Sequence, residues 1–142
     1  MNKYVEYKNR QQAEFNKLPM KAAFGDKQFR EMMEEWHLDA RSKEDLSKVV
    51  SLGYGAYCLK TDKHLFDELL EKHLKEDEEF YKDDDNLKDA LYYEFGNHEC
   101  GYTYTPADAL YALGLSWKDV MTDKRIAHIF NETWSKFLDD NN

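Results

Sequence analysis

In KVVSLGYGAYCLK, residues 48 to 60, the β-branched pair Val49 and Val50 leads into Gly53, Tyr54 and Gly55, and then into Ala56, Tyr57, Cys58 and Leu59. Two short extended runs around a Gly-x-Gly centre predict a β-hairpin or a bulged strand pair. The stretches on both sides carry helical spacing, so the sheet this hairpin belongs to has to be small and antiparallel. A phosphate-cradling loop is the sharper alternative, but GYG lacks the full glycine spacing and a following Lys-Ser/Thr pair.

Two prolines and six glycines are all that punctuate the chain. Residues 3 to 17 place Tyr4, Tyr7 or Lys8, Gln12 and Phe15 at helical spacing, and Pro19 closes that helix by disfavouring a helical Leu18. A stronger helix runs from Asp26 as N-cap, with Phe29, Met32, Met33 and Trp36 on a core-facing stripe. Ser42 and Asp45 have capping-box spacing for a short helical turn. Thr61 or Asp62 caps a long helix whose expected buried stripe is Leu65, Phe66, Leu69, Leu70, His73 and Leu74. Phe80 and Tyr81 end it against KDDDN. Residues 86 to 95 then bring Leu87, Ala90, Leu91 and Phe95 to one side, with Gly96 expected as the C′ stop.

From His98 to Tyr104 the side chains alternate, Tyr102 and Tyr104 on one face and Thr103 on the other, which predicts a third strand paired with the 49–60 hairpin. Thr105 as N-cap, Pro106 at N1 and Asp108 at N3 mark a helix start, and that helix stops at Gly114. Ser116 repeats the capping logic. The last helix carries Ile126, Ile129 or Phe130, Trp134 and Phe137. The expectation is an α+β fold: a mostly helical single domain over residues 1–142, with one small antiparallel sheet of about three strands.

Composition supports a folded chain, because 42% hydrophobic and 15% aromatic residues are too many for a disordered one. Twenty-nine acidic against 20 basic residues give a net charge of -9. That field repels phosphate backbones, so direct nucleic-acid binding is disfavoured and a protein partner with a basic surface is favoured. Cys58 and Cys100 form no C-x-x-C pair or spaced framework, so no disulfide scaffold is implied. The N-terminal stretch has no apolar h-region, and no apolar run approaches the ~20 residues of a membrane span. No membrane association and a cytoplasmic location are expected.

Glu94, His98, Glu99 and Cys100 fall within seven residues, enough donor types for zinc or iron. Their spacing is poor: Gly96 is expected to interrupt the helix that would align Glu94 with His98, leaving His98 and Cys100 on one strand face and Glu99 on the other. Cys58 or His64 would have to complete a metal set. Cysteine catalysis would need a Cys58 or Cys100 thiolate beside a base, and His98 is two residues from Cys100. Burial of both cysteines is the stronger expectation. Accordingly no metal, cofactor or catalytic residue is expected, and a small metal- or cysteine-dependent enzyme centred on His98, Glu99 and Cys100, supported by Glu94 and Tyr102, is the alternative.

The other conspicuous stretch is KEDEEFYKDDDNLKD, with eight carboxylates between Glu76 and Asp89. An EF-hand is excluded because Lys88 stands where the loop glycine belongs. Helical acidic side chains rise at about 1.5 Å per residue, close to the ~1.7 Å charge spacing of B-DNA, so imitation of a nucleic-acid backbone is a reading open to Glu76, Asp77, Glu78, Glu79, Asp83, Asp84 and Asp85.

The segments EYKNRQQAEFNKLP, FREMMEEW, YCLKTDKHLFDELLEKH and EFGNHECGYTYTPADALYALGLSWKDV, in that order, resemble a family of small acidic proteins of unknown function from gut Firmicutes, their phages and mobile elements. The resemblance implies no active-site residues. It implies a context in which inhibitors of host nucleases occur, and so a non-enzymatic acidic interaction protein, a mobile-element-encoded inhibitor or regulator of a nucleic-acid-handling host protein. A homodimeric subunit using exposed Tyr4, Tyr7 and Phe15 is a further alternative.

Overall fold

Tyr4 and Gln11 are the buried positions of the first helix, α1 (Lys3–Asn16), seven residues apart and so on one face. The computed structural model, which describes residues 2–141, continues through β1 (Lys21–Ala22), α2 (Asp26–Glu35), α3 (Lys43–Leu46), β2 (Val49–Gly53) and β3 (Ala56–Leu59). A 3₁₀ turn leads into α4 (Lys63–Phe80), followed by α5 (Asp84–Asn97), α6 (Cys100–Thr103), α7 (Ala107–Ala112), α8 (Trp117–Thr122) and α9 (Lys124–Asp140). The fold is α+β, mostly helical with one antiparallel three-stranded sheet. Its contacts divide the chain into two compact units, one of residues up to Gln11 with Leu74 onward, the other Gln12–His73.

The Gln12–His73 unit holds the sheet, in the order β1-β3-β2. Val50 pairs with Cys58 and Val49 with Leu59, and a register shift follows Ser51. Gly53, Tyr54 and Gly55 all have positive φ, so the Gly-x-Gly centre is a turn built on left-handed backbone. The core is small: Ala23, Met32 and Met33, walled by Phe29, Trp36, Leu38, Val49 and Tyr57. At the end of α2 the Leu38 N–H donates to the Met33 carbonyl at 2.8 Å, with His37 at φ 59 in the place a glycine usually takes. Trp36 and Leu38 are thereby fixed on either side of one tight turn.

The other unit is built on aromatic helix packing. Leu87, Leu91 and Phe95 of α5 meet Ile129, Phe130 and Phe137 of α9, with Ala109, Leu110, Val120 and Cys100 closing the core. The fully buried Phe95 ring lies 4.9 Å from Trp134 and 5.6 Å from Phe137, centroid to centroid. Burying such a ring stabilises by about 1.5–3 kcal/mol. Asp83 caps α5 by accepting from the Asn86 N–H, and Asp123 caps α9 through the Ile126 N–H. Ser116 and Asp119 form a complete capping box on α8.

Several expectations are corrected. Residues 98–104 are not a strand: the third strand is β1, whose Lys21 and Ala22 pair with Tyr57 and Ala56. Glu99 and Tyr104, both left-handed, bracket the single turn α6 instead. Gly96 does not stop α5, which runs to Asn97, because the packing of Phe95 exceeds the ~1 kcal/mol cost of a helical glycine. Leu70 and Leu74 are exposed, at 60% and 59%, and Phe66 is the buried side chain of α4. On α1 Gln11, not Gln12, is buried. Tyr4 is buried and Tyr7 stacks on Phe80 at 4.0 Å, so the exposed tyrosine surface expected for a homodimer is absent from α1, where Phe15 alone of the three is exposed. Helix starts shift by one residue at α2, capped by Gly25, and at α7, capped by Pro106.

Candidate functional site

Five carboxylates of the acidic run, Glu78, Glu79, Asp83, Asp84 and Asp85, are exposed around the turn joining α4 to α5. The turn exists because Tyr81 ends α4 against the core while the Asp83 side chain starts α5, so one residue supplies both charge and cap. Two cations reach into it. Lys82 Nζ lies 2.7 Å from Glu79, and Arg125 of α9 donates to Asp84 at 2.7 Å and to the carbonyls of Tyr81 and Lys82. Exposed pairs of this kind each stabilise by about 0–1 kcal/mol.

The other two residues of the expected surface are engaged within the fold. Glu76 pairs with Arg10 of α1. Asp77 accepts from the Tyr7 hydroxyl and, at 3.1 Å, from the Gln11 amide. Burial, followed by the hydrogen bond to Asp77, pushes the Tyr7 phenol well above its usual value. Sequence reasoning missed this tie. Its signal was the polar Tyr4, Tyr7 and Gln11 at i, i+3 and i+7, which left a helix with too thin an apolar face to dock by burial alone.

Around His98 the structure forms a different constellation from the expected one. Because α5 runs through Gly96, Glu94 and His98 sit one turn apart, with His98 Nε2 3.1 Å from Glu94 Oε2. Glu94, only 7% exposed, also accepts from the Tyr4 hydroxyl at 3.3 Å. A buried carboxylate is tolerable only with such partners. Burial, with Tyr81 and Glu94 beside it, pushes the Tyr4 phenol well above its usual value. Glu99 is exposed on left-handed backbone, and Tyr102 is exposed.

Cys100 opens the helical turn α6 and His98 ends α5, so the two are not on a strand. Cys100 is fully buried in the aromatic core, and Cys58 is fully buried on β3, the central strand of the sheet; both are free thiols. Burial pushes both thiols up, opposite to the shift that makes a cysteine nucleophilic. His64 is exposed, and its Nδ1–H donates to the Thr61 carbonyl, 3.0 Å away. The arrangement required for a metal- or cysteine-centred site on one strand face is therefore not formed. Among the described residues, no helix is long and apolar enough to cross a membrane.

The family model of DUF7659, a family of unknown function, matches residues 3–136. The chain belongs to the DUF7659 family. No curated protein and no solved structure matches it. The DUF7659 match spans α1 through most of α9, and so takes in the acidic turn, the Tyr4–Glu94–His98 network and both cysteines.

Proposed function

We propose that this DUF7659 protein is a non-enzymatic interaction module that binds a basic protein surface through the α4–α5 turn. The observation that carries the reading is the exposure of Glu78, Glu79, Asp83, Asp84 and Asp85 around one capped turn, in a chain of net charge -9. Such a field steers a basic partner and discourages phosphate backbones. The partner class that fits is a protein whose basic groove handles nucleic acid, and the role is an inhibitor or regulator encoded by a phage or other mobile element, acting in the cytoplasm.

The test is a full-length chain carrying E78Q, E79Q, D83N, D84N and D85N, compared with the unaltered chain in affinity purification from native cells at two salt concentrations. Asparagine caps a helix about as well as aspartate, so D83N removes charge and keeps the α5 start. The expected result is loss of the retained partner, release of that partner from the unaltered chain at higher salt, and displacement by duplex DNA. Retention of every partner by the neutralised chain overturns the reading.

A further inference from the structure

The Gln12–His73 unit carries a second surface whose chemistry runs against the charge of the chain. A cleft of about 580 Å³ opens where the end of α2, the start of β2 and the end of β3 meet. That volume lies within the ~300–1,000 Å³ of small-molecule sites. Its apolar walls are Trp36, Leu38 and Leu59, and its cations are Lys48 and Lys60. Among the described residues no carboxylate lines it, although Asp45 pairs with Lys48 just outside the lining. Four other clefts each carry at least one: Asp85, Asp89 and Glu132 between α5 and α9, Glu99 beside Tyr102, Glu76 and Glu79 on α4, and Glu34 and Asp39 beside α2.

The cleft is held by backbone. Lys60 donates its N–H to the Lys48 carbonyl at 2.7 Å, just outside the Val49–Leu59 pair, so sheet register sets the two lysines side by side. Lys48 Nζ is steadied 3.2 Å from Asp45, and Lys60 is exposed. Opposite them, the left-handed His37 turn presents Trp36 and Leu38, both only partly buried against the methionine core. Lys21 Nζ lies 5.9 Å from the centre of the Trp36 ring but is paired with Glu35 at 2.6 Å, so the uncommitted charge at the cleft is that of Lys60. A flat apolar wall faced by a pair of ammonium groups recognises an apolar body through dispersion and burial, and an acidic group through charge-assisted hydrogen bonds.

We propose that this cleft binds a small organic anion with a flat apolar body, the body against Trp36, Leu38 and Leu59 and the acidic group against Lys48 and Lys60. This site is independent of the acidic turn. The long-range field of the chain favours cations, so a preference for an anion has to come from the cleft itself.

The experiment is a titration of the full-length, ¹⁵N-labelled chain followed at the Trp36 indole N–H, assigned with Trp36→Phe, using probes that share one ring. Indole-3-acetate carries the anion, tryptamine a cation and 3-methylindole no charge; inorganic phosphate tests charge alone. Indole-3-acetate is expected to move the Trp36 indole resonance and the amides of residues 47–48 and 59–61, saturating with a dissociation constant of about 0.1–1 mM. The other three probes should bind at least about tenfold more weakly. Lys60→Gln and Lys48→Gln, both surface changes, should each weaken indole-3-acetate about three- to tenfold while leaving the melting temperature unchanged. Tryptamine, 3-methylindole or phosphate binding as tightly as indole-3-acetate overturns the proposal. So do shifts confined to other residues, an unchanged affinity in Lys60→Gln, or no saturation below about 10 mM.

Discussion

The two units bury their apolar residues in different ways. Around α5 and α9, ten buried side chains with partly buried Tyr81, Tyr92 and Trp134 around them make a core dominated by aromatic rings. Around α2 and the sheet, three buried side chains are surrounded by a wall of larger ones that stay half in water. The difference decides what each surface can offer. Over the larger core, the α4–α5 turn presents charge; where the core is too small, Trp36 and Leu38 remain as cleft walls. The recognition proposed for the first region is electrostatic, and that proposed for the second rests on apolar contact beside a charge.

Core truncation tests that contrast most directly. Phe95→Ala should cost about 3–5 kcal/mol by urea denaturation, since it removes a fully buried ring that touches Phe130, Trp134 and Phe137. Met33→Ala, also fully buried, should cost nearer 2 kcal/mol, because a small core with flexible neighbours collapses onto the gap more easily. Equal costs would break the comparison.

The polar tie between α1 and the α4–α5 segment sharpens it from another side. Tyr4, Tyr7 and Tyr81 all have phenols raised in the fold, by burial first. A raised folded value means that the associated stability is complete below the ordinary tyrosine pKa near 10 and is lost as pH rises above it toward the folded values. Denaturant midpoints should therefore hold up to about pH 10 and fall beyond it. Phenolate absorbance from these three should develop together with the loss of helical circular dichroism. Tyr4→Phe should cost about 1–2 kcal/mol near neutrality by leaving the buried Glu94 carboxylate one donor short, and should flatten the alkaline fall. Ser116→Ala, which removes the α8 capping box, should cost about 1 kcal/mol and leave that fall unchanged.

What could be read from the sequence divides along physical lines. The hairpin, the α5 and α9 stripes and the Ser42 and Ser116 helix starts were legible, because each is specified by residues close in sequence. The turn α6 was not. Tyr102, Thr103 and Tyr104 alternate as well as a strand does, and four residues are too few for a period to declare itself; left-handed Glu99 and Tyr104 decided the outcome. β1 is two residues long and has no period at all. On α4 two leucine-bearing stripes overlap, one through Phe66, Leu69 and His73 and one through Leu70 and Leu74. The fold turns the first inward, with Phe66 buried and Leu69 and His73 half-buried, and exposes the second. Of the candidate site, the acidic exterior was visible in composition, whereas the withdrawal of Asp77 to Tyr7 and Gln11 depends on contacts more than 60 residues apart. The Trp36 cleft was hidden for the same reason, since it joins three segments through strand register and one left-handed histidine.

The two buried thiols give the molecule a pair of native chemical clocks. Cys58 lies in one unit and Cys100 in the other, and neither is accessible in the closed fold. A water-soluble thiol reagent can reach each one only when its surroundings open. The two reaction rates, followed in the unaltered protein with no added label, measure how often the sheet and the aromatic core each expose their interiors.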